Sequence, residues 1–255
     1  MFEDPLAVRI LGRTYAEDLR RTPDRPDRPF SVGLRAFLVA RSRFVEDALE
    51  RAVQAGATQY VVLGAGLDTF AYRNPYPELE VFEVDHPVTQ AWKLDLLRES
   101  GTAIPDNVRH VAIDFEREGL RERLLEDGFD QRGRTFYSML GVAPYLTLEA
   151  FRGTIGLIAS SPAGSGLAFD YGQPAEVLSP TERLAHESLS SRVALAGEPF
   201  RLFFTPSDVA QELRAFDTLD DLGAEDINAR YFAGRTDGLQ VRGSAGRIVS
   251  ATVRD

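Results

Sequence analysis

Cysteine is absent from the 255-residue sequence, and with it go a disulfide framework, a thiolate zinc site and a cysteine nucleophile. Lysine is almost absent as well: of 29 basic side chains only Lys93 is not arginine. No apolar stretch approaches the ~20 residues that a membrane span requires. The opening MFEDPLAVRI lacks the basic-then-apolar pattern of a secretory signal. The expectation is a soluble, cytoplasmic protein with no membrane partner. An excess of positive charge is also missing. With 39 acidic residues the net charge is −10, which argues against bulk binding to nucleic acid or an anionic surface. Internal repeats and low-complexity tracts do not occur.

There is chain enough for one large core, since a folded protein of this length buries ~70–75% of its unfolded surface. Residues 1–55 hold ten arginines against nine acids, which leaves −11 on residues 56–255. We expect one domain over 1–255, with 1–55 as a helical cap and 56–255 as the core. Pro5 opens a helix over 5–20, with Leu6, Ile10 and Leu11 as apolar contacts. Prolines at 23, 26 and 29 make RTPDRPDRPF a stiff surface linker. A longer helix is expected from Ser31, as N-cap, to Gln54, with Gly56 just past its end. Its apolar stripe reads Leu34, Phe37, Leu38, Phe44, Val45, Ala48, Leu49 and Ala52.

Strands and helices then alternate. Strands are expected at Tyr60–Leu63, Glu80–Val84, Arg109–Ile113, Thr135–Met139, Leu167–Tyr171, Thr218–Asp221 and Ile248–Val253. Helices are expected near 66–73, 87–100, 116–127, 147–160 and 207–215. A further helical segment, about 180–197, falls within an insertion at about 172–205 and reads as a lid. This order predicts an α/β fold with a doubly wound, mostly parallel sheet of seven strands, whose ligands bind outside the carboxyl ends of the strands.

The strongest local signal is YVVLGAGLDTFAYR, residues 60–73. A buried strand runs into Gly64-Ala65-Gly66, where missing side chains let a ligand approach the backbone. Asp85 follows Gly64 by 21 residues, at the end of the second strand, the spacing of an acid that accepts from both hydroxyls of a ribose. Asp114, at the end of the third strand, is placed to accept from the exocyclic amine of an adenine, and the Phe115 amide to serve a ring nitrogen. The third glycine of a dinucleotide fingerprint is replaced by Thr69. Asp68 sets negative charge where a pyrophosphate would sit. Both features disfavour a nicotinamide oxidoreductase. S-adenosylmethionine, which has no phosphate and carries a sulfonium and an ammonium, suits the same site.

Arg41 lies seven residues after Leu34 and four before Val45, on the apolar stripe itself. A charge there needs an anionic partner, either a cofactor carboxylate or a buried structural acid. Arg35 and Arg43 lie off the stripe and read as solvated.

In order along the chain, RSRFVEDAL (41–49), LGAGLDTFAYR (63–73), VFEVDHP (81–87), AIDFE (112–116) and LGVAPYLT (140–147) resemble the leucine carboxyl methyltransferase and polyketide O-methyltransferase family. The resemblance covers about residues 30–175. It implies a class I S-adenosylmethionine-dependent methyltransferase with a Rossmann-like sheet of seven strands. By resemblance Arg41 holds the methionine carboxylate, Gly64 and Gly66 form the loop under the cofactor, Asp85 binds the ribose, and Asp114 with Phe115 binds the adenine. One departure stands out: where the family often carries Glu-Gly-Val, this chain has Leu140-Gly141-Val142. The implied reaction is methyl transfer to an oxygen, carboxylate or hydroxyl, of a small-molecule acceptor. A carboxylate needs no base. For a hydroxyl the candidates are Tyr171 with its neighbour Asp170, His186 in the lid, and Tyr231 in NARYFAGR, while His110, at the start of the third strand, reads as structural. A protein that binds a small ligand on this fold without turnover is the competing reading.

Overall fold

In a computed structural model of the chain, residues 3–12, 29–114, 118–195 and 197–254 are described. Two runs of five residues, Gln59–Leu63 (β1) and Thr135–Met139 (β4), are buried at every position, as strands covered on both faces must be. With Glu80–Asp85 (β2), Val108–Ala112 (β3), Gly166–Gly172 (β5), Phe216–Leu222 (β6) and Gly246–Val253 (β7) they form one seven-stranded sheet of order β3-β2-β1-β4-β5-β7-β6. The first five strands are parallel, and β7 runs antiparallel between β5 and β6. The expected α/β class and doubly wound, mostly parallel sheet are what the chain adopts.

The helices are Ala7–Ile10 (α1), Pro29–Gln54 (α2), Pro87–Ser100 (α3), Leu120–Glu126 (α4), Leu148–Ala159 (α5), Pro180–Leu195 (α6), Pro206–Glu212 (α7) and Ala224–Tyr231 (α8). Side chains alternate across the sheet. Val61, Leu63, Phe82 and Tyr137 pack against Leu124 of α4 and Phe151 and Ile158 of α5. On the opposite face Tyr60, Val62, Val81 and Phe136 meet Ala40, Phe44 and Leu49 of α2 and Ile227 of α8.

Four local expectations need correction. Helix α2 starts at Pro29, so Ser31 lies inside the first turn and does not cap it; a proline at a helix start sacrifices no intrahelical bond. Its buried stripe runs through Ala36, Ala40, Phe44, Val45, Ala48 and Leu49, whereas Leu34 is 50% exposed and Leu38 38%. The small alanines face the sheet and let the helix axis approach it. The helix expected over 66–73 is a single 3₁₀ turn, Phe70–Tyr72. Asp68 accepts from the Phe70 amide at 2.7 Å, and the prolines at 75 and 77 prevent continuation. Helix α8 was not expected; Asp226 in its first turn accepts from the Gly223 amide at 3.1 Å. Most of the expected linker and the second half of the helix over 5–20 lie outside the described residues, as does Phe115.

Candidate functional site

The strand order reverses between β1 and β4, and a crevice opens there beyond the strand ends, where open α/β sheets bind ligands. It is a cavity of about 460 Å³ lined by Val62 and Leu63 at the end of β1 and the loop Gly64–Thr69 after it, Ser138 and Leu140–Val142 at the end of β4, Arg41 and Ser42 of α2, Asp4 and Arg73. Its size falls within the ~300–1,000 Å³ usual for small-ligand sites.

The glycine loop forms the wall. The amides of Gly64 and Ala65 donate to Val84 O at 2.8 and 3.1 Å, fastening the loop to β2. Gly64 has φ +65°, and a Cβ there would lie 2.3 Å from Val142 Cγ2, so only glycine fits between the two strand-end loops. Gly64→Ala is therefore expected to lower stability by ~1–3 kcal/mol through overpacking, measurable by urea unfolding. The Gly66 amide donates to Asp85 Oδ2, and the His86 amide to Asp85 Oδ1 at 2.7 Å. Beneath the crevice the buried Tyr60 hydroxyl meets Ser138 Oγ at 2.7 Å, joining β1 to β4.

Arg41 reaches the cavity from α2. Its guanidinium donates to Asp170 Oδ2 at 2.9 Å, and Asp170 also accepts from the Gly141 amide. Arg41 Nε is buried without a hydrogen-bond partner. The structural acid foreseen as one possible partner is thus present, at the end of β5, and a nitrogen of the guanidinium is still unmatched.

Three further features escaped the sequence reading. Residues 3–12 are tied to the site: Asp4 Oδ2 accepts from the Thr69 hydroxyl at 2.5 Å, and Arg9 donates to the carbonyls of Ser100 and Gly101 at the end of α3. Arg73, on the loop, pairs with Glu46 of α2. Behind the loop lies a buried polar cluster. Lys93 Nζ meets Glu83 Oε1 at 2.8 Å, with both side chains 2% exposed. The Tyr72 hydroxyl donates to Glu83 Oε2 at 2.6 Å, and His110 Nε2 lies 3.0 Å from that hydroxyl. Burial pushes the Glu83 carboxyl up, but the Lys93 ammonium and the surrounding hydrogen bonds outweigh it and hold it below the usual range. Two signals for this cluster were available: a glutamate inside the apolar run VFEV, and the only lysine of the chain ten residues later.

The model of the family described as leucine carboxyl methyltransferase matches residues 1–159, more than half of the sequence. The chain belongs to the leucine carboxyl methyltransferase family. Among similar proteins, the "Putative S-adenosyl-L-methionine-dependent methyltransferase YktD" of Bacillus subtilis (strain 168) is 34% identical over 238 residues, covering 91% of this chain and 78% of YktD. A Mycolicibacterium paratuberculosis (strain ATCC BAA-968 / K-10) protein of the same designation is 37% identical over 196 residues, 74% of this chain and 63% of that protein. The fold is shared with a DUF574 family protein of Streptomyces avermitilis, at TM-score 0.62 and 19% identity over 97% of this chain and 95% of the other. It is also shared with a Thermobifida fusca YX protein, at TM-score 0.64 and 16% identity over 98% and 94%.

Within this family member Arg41, Gly64 and Gly66 line the cavity. Asp85 is half-buried directly behind Gly66, and Asp114 ends the turn after β3 with its amide donating to Glu118. The three candidates for a base are elsewhere. The Tyr171 hydroxyl donates to Asp221 at 2.7 Å and accepts from Arg247 at 3.0 Å. The Tyr231 hydroxyl donates to Asp47 at 2.9 Å. Burial, then the adjoining carboxylates, push both phenols up. His186 on α6 packs edge-on against Phe203, centroids 5.1 Å apart. No histidine or tyrosine is among the described lining residues. Among the described residues no group of side chains could hold a metal ion, and no helix is long and apolar enough to cross a membrane.

Proposed function

We propose that the chain is an S-adenosyl-L-methionine-dependent methyltransferase that methylates an oxygen, carboxylate or hydroxyl, of a small-molecule acceptor. The observation that carries the reading is the cavity itself. At the reversal of strand order it presents a wall of backbone at Gly64 and Gly66, where no side chain stands between a ligand and the main chain, and Arg41 beside it keeps an unmatched buried Nε. These features fit a ligand with an adenosine body and a carboxylate at one end. In this reading Arg41 binds the methionine carboxylate, Gly64 and Gly66 let the ligand meet the backbone, Asp85 accepts from the ribose and Asp114 from the adenine amine. The chemistry such a cofactor supplies is a methyl group on a sulfonium, open to in-line displacement.

The chain's own contribution is placement. Holding the acceptor oxygen in line at ~3–3.5 Å within a dry crevice is worth ~7–11 kcal/mol at best. The absence of histidine and tyrosine from the described lining favours a carboxylate acceptor, because an ionised carboxylate attacks without losing a proton.

Calorimetry with S-adenosylmethionine and with NAD, followed by transfer of labelled methyl groups to small molecules of a cell extract, tests this reading. Binding of NAD alone would overturn the cofactor, and binding with no transfer to any acceptor would overturn the enzyme. Within the site, Asp85→Asn is expected to weaken S-adenosylhomocysteine at least about tenfold, since charge-assisted bonds contribute ~1.5–3 kcal/mol each. Affinity equal to wild type would remove Asp85 from the ribose.

A further inference from the structure

The carboxylates around the cavity differ in how fully the protein uses them. Asp4 accepts from the amides of Leu6 and Ala7 on one oxygen and from Thr69 on the other. Asp170 is held by Arg41 and Gly141, and Asp85 by the amides of Gly66 and His86. Asp68 is the exception. It lines the cavity, its Oδ1 accepts from the Phe70 amide at 2.7 Å, and its second oxygen accepts from no described residue. The cations that act on it, Lys93 and Arg73, are each paired elsewhere, with Glu83 and Glu46. Burial accordingly pushes its carboxyl up.

A half-buried carboxylate without its own cation destabilises the free protein, and the cost is removed when a cation arrives. The end of β4 gives the lining no acid, only Ser138, Leu140, Gly141 and Val142. Of the two arginines on the same lining, Arg73 is paired with Glu46 and Asp4, whereas Arg41 keeps a buried Nε without a hydrogen-bond partner. A positive and a negative group lining one cavity suit a zwitterion. We infer that Asp68 receives the ammonium of the cofactor's amino-acid end while Arg41 receives its carboxylate. The inference rests on the cofactor reading above and goes beyond it by naming the anionic half of the clamp.

The test is Asp68→Asn, whose amide oxygen still accepts from the Phe70 amide. Calorimetry at neutral pH compares S-adenosylhomocysteine, which carries the ammonium but no sulfonium, with 5′-methylthioadenosine, which lacks the amino-acid end. The expected result is about tenfold or greater loss for S-adenosylhomocysteine, unchanged affinity for 5′-methylthioadenosine, and an unliganded variant that melts at or above wild type. Equal loss of both ligands with a lowered melting temperature would make Asp68 a support of the loop and overturn the inference. Loss confined to S-adenosylmethionine would assign Asp68 to the sulfonium instead, and also overturn it. Wild-type protein that binds none of the three would overturn the cofactor reading, and the inference with it.

Discussion

Lys93→Met should lower the stability of the free protein by ~3–5 kcal/mol, because it leaves Glu83 ionised and buried with its principal partner gone. For a domain of this size that corresponds to a fall of roughly 6–20 °C in melting temperature. The pair is closed to solvent, with both side chains 2% exposed, so water cannot replace the ammonium. Glu83→Gln on the Lys93→Met background removes the stranded charge and should recover much of the loss. The pH dependence has a fixed sign. Glu83 has a folded pKa below its unfolded value, so its contribution is complete above the ordinary glutamate range near ~4.3. It is lost as pH falls through the folded value. Wild type should therefore lose melting temperature on acidification more steeply than the double variant. Thermal melts of the three proteins from pH 7 to pH 3 check both expectations. A Lys93→Met protein as stable as wild type would show that the pair contributes nothing.

Arg41→Met should act on stability and on ligand binding at once. Asp170, only 9% exposed, would keep the Gly141 amide but lose its cation. Arg41 is itself 22% exposed, so the loss should fall at the lower end of the ~3–5 kcal/mol expected for a broken buried pair. Adding Asp170→Asn should recover that stability. It should not recover affinity for S-adenosylhomocysteine if the guanidinium also binds the ligand's carboxylate. Melting and calorimetry on the single and double variants separate the two roles. A double variant that binds as wild type does would confine Arg41 to structure.

The sheet was legible because its evidence is local: apolar runs of strand length, broken by Gly64 and by His86-Pro87, set both the strands and the points where they end. The strand-end logic also marked the crevice, since Gly64 and Gly66 prove to line it. Direction was harder to read. Asp170 and Tyr171 are neighbours at one strand end, yet successive side chains of a strand point to opposite faces. Tyr171 joins the core on the side of α5, and Asp170 turns toward Arg41 of α2. Register on α2 misled for a related reason: leucines signalled a buried stripe, but the close approach of helix and sheet selects Ala36 and Ala40. The Asp4 tie links residues 65 apart, and no short-range pattern announces it.

The buried position of Lys93 also determines what the outside of the molecule can react with. Because the chain has no second lysine, the folded surface carries no ε-amine, and acylating reagents or enzymes that modify lysine find no side chain to act on. Modification of Lys93 then requires opening of the packing between α3 and β2. Its rate under an amine-reactive probe would report how often the native core opens, with no substitution introduced into the protein.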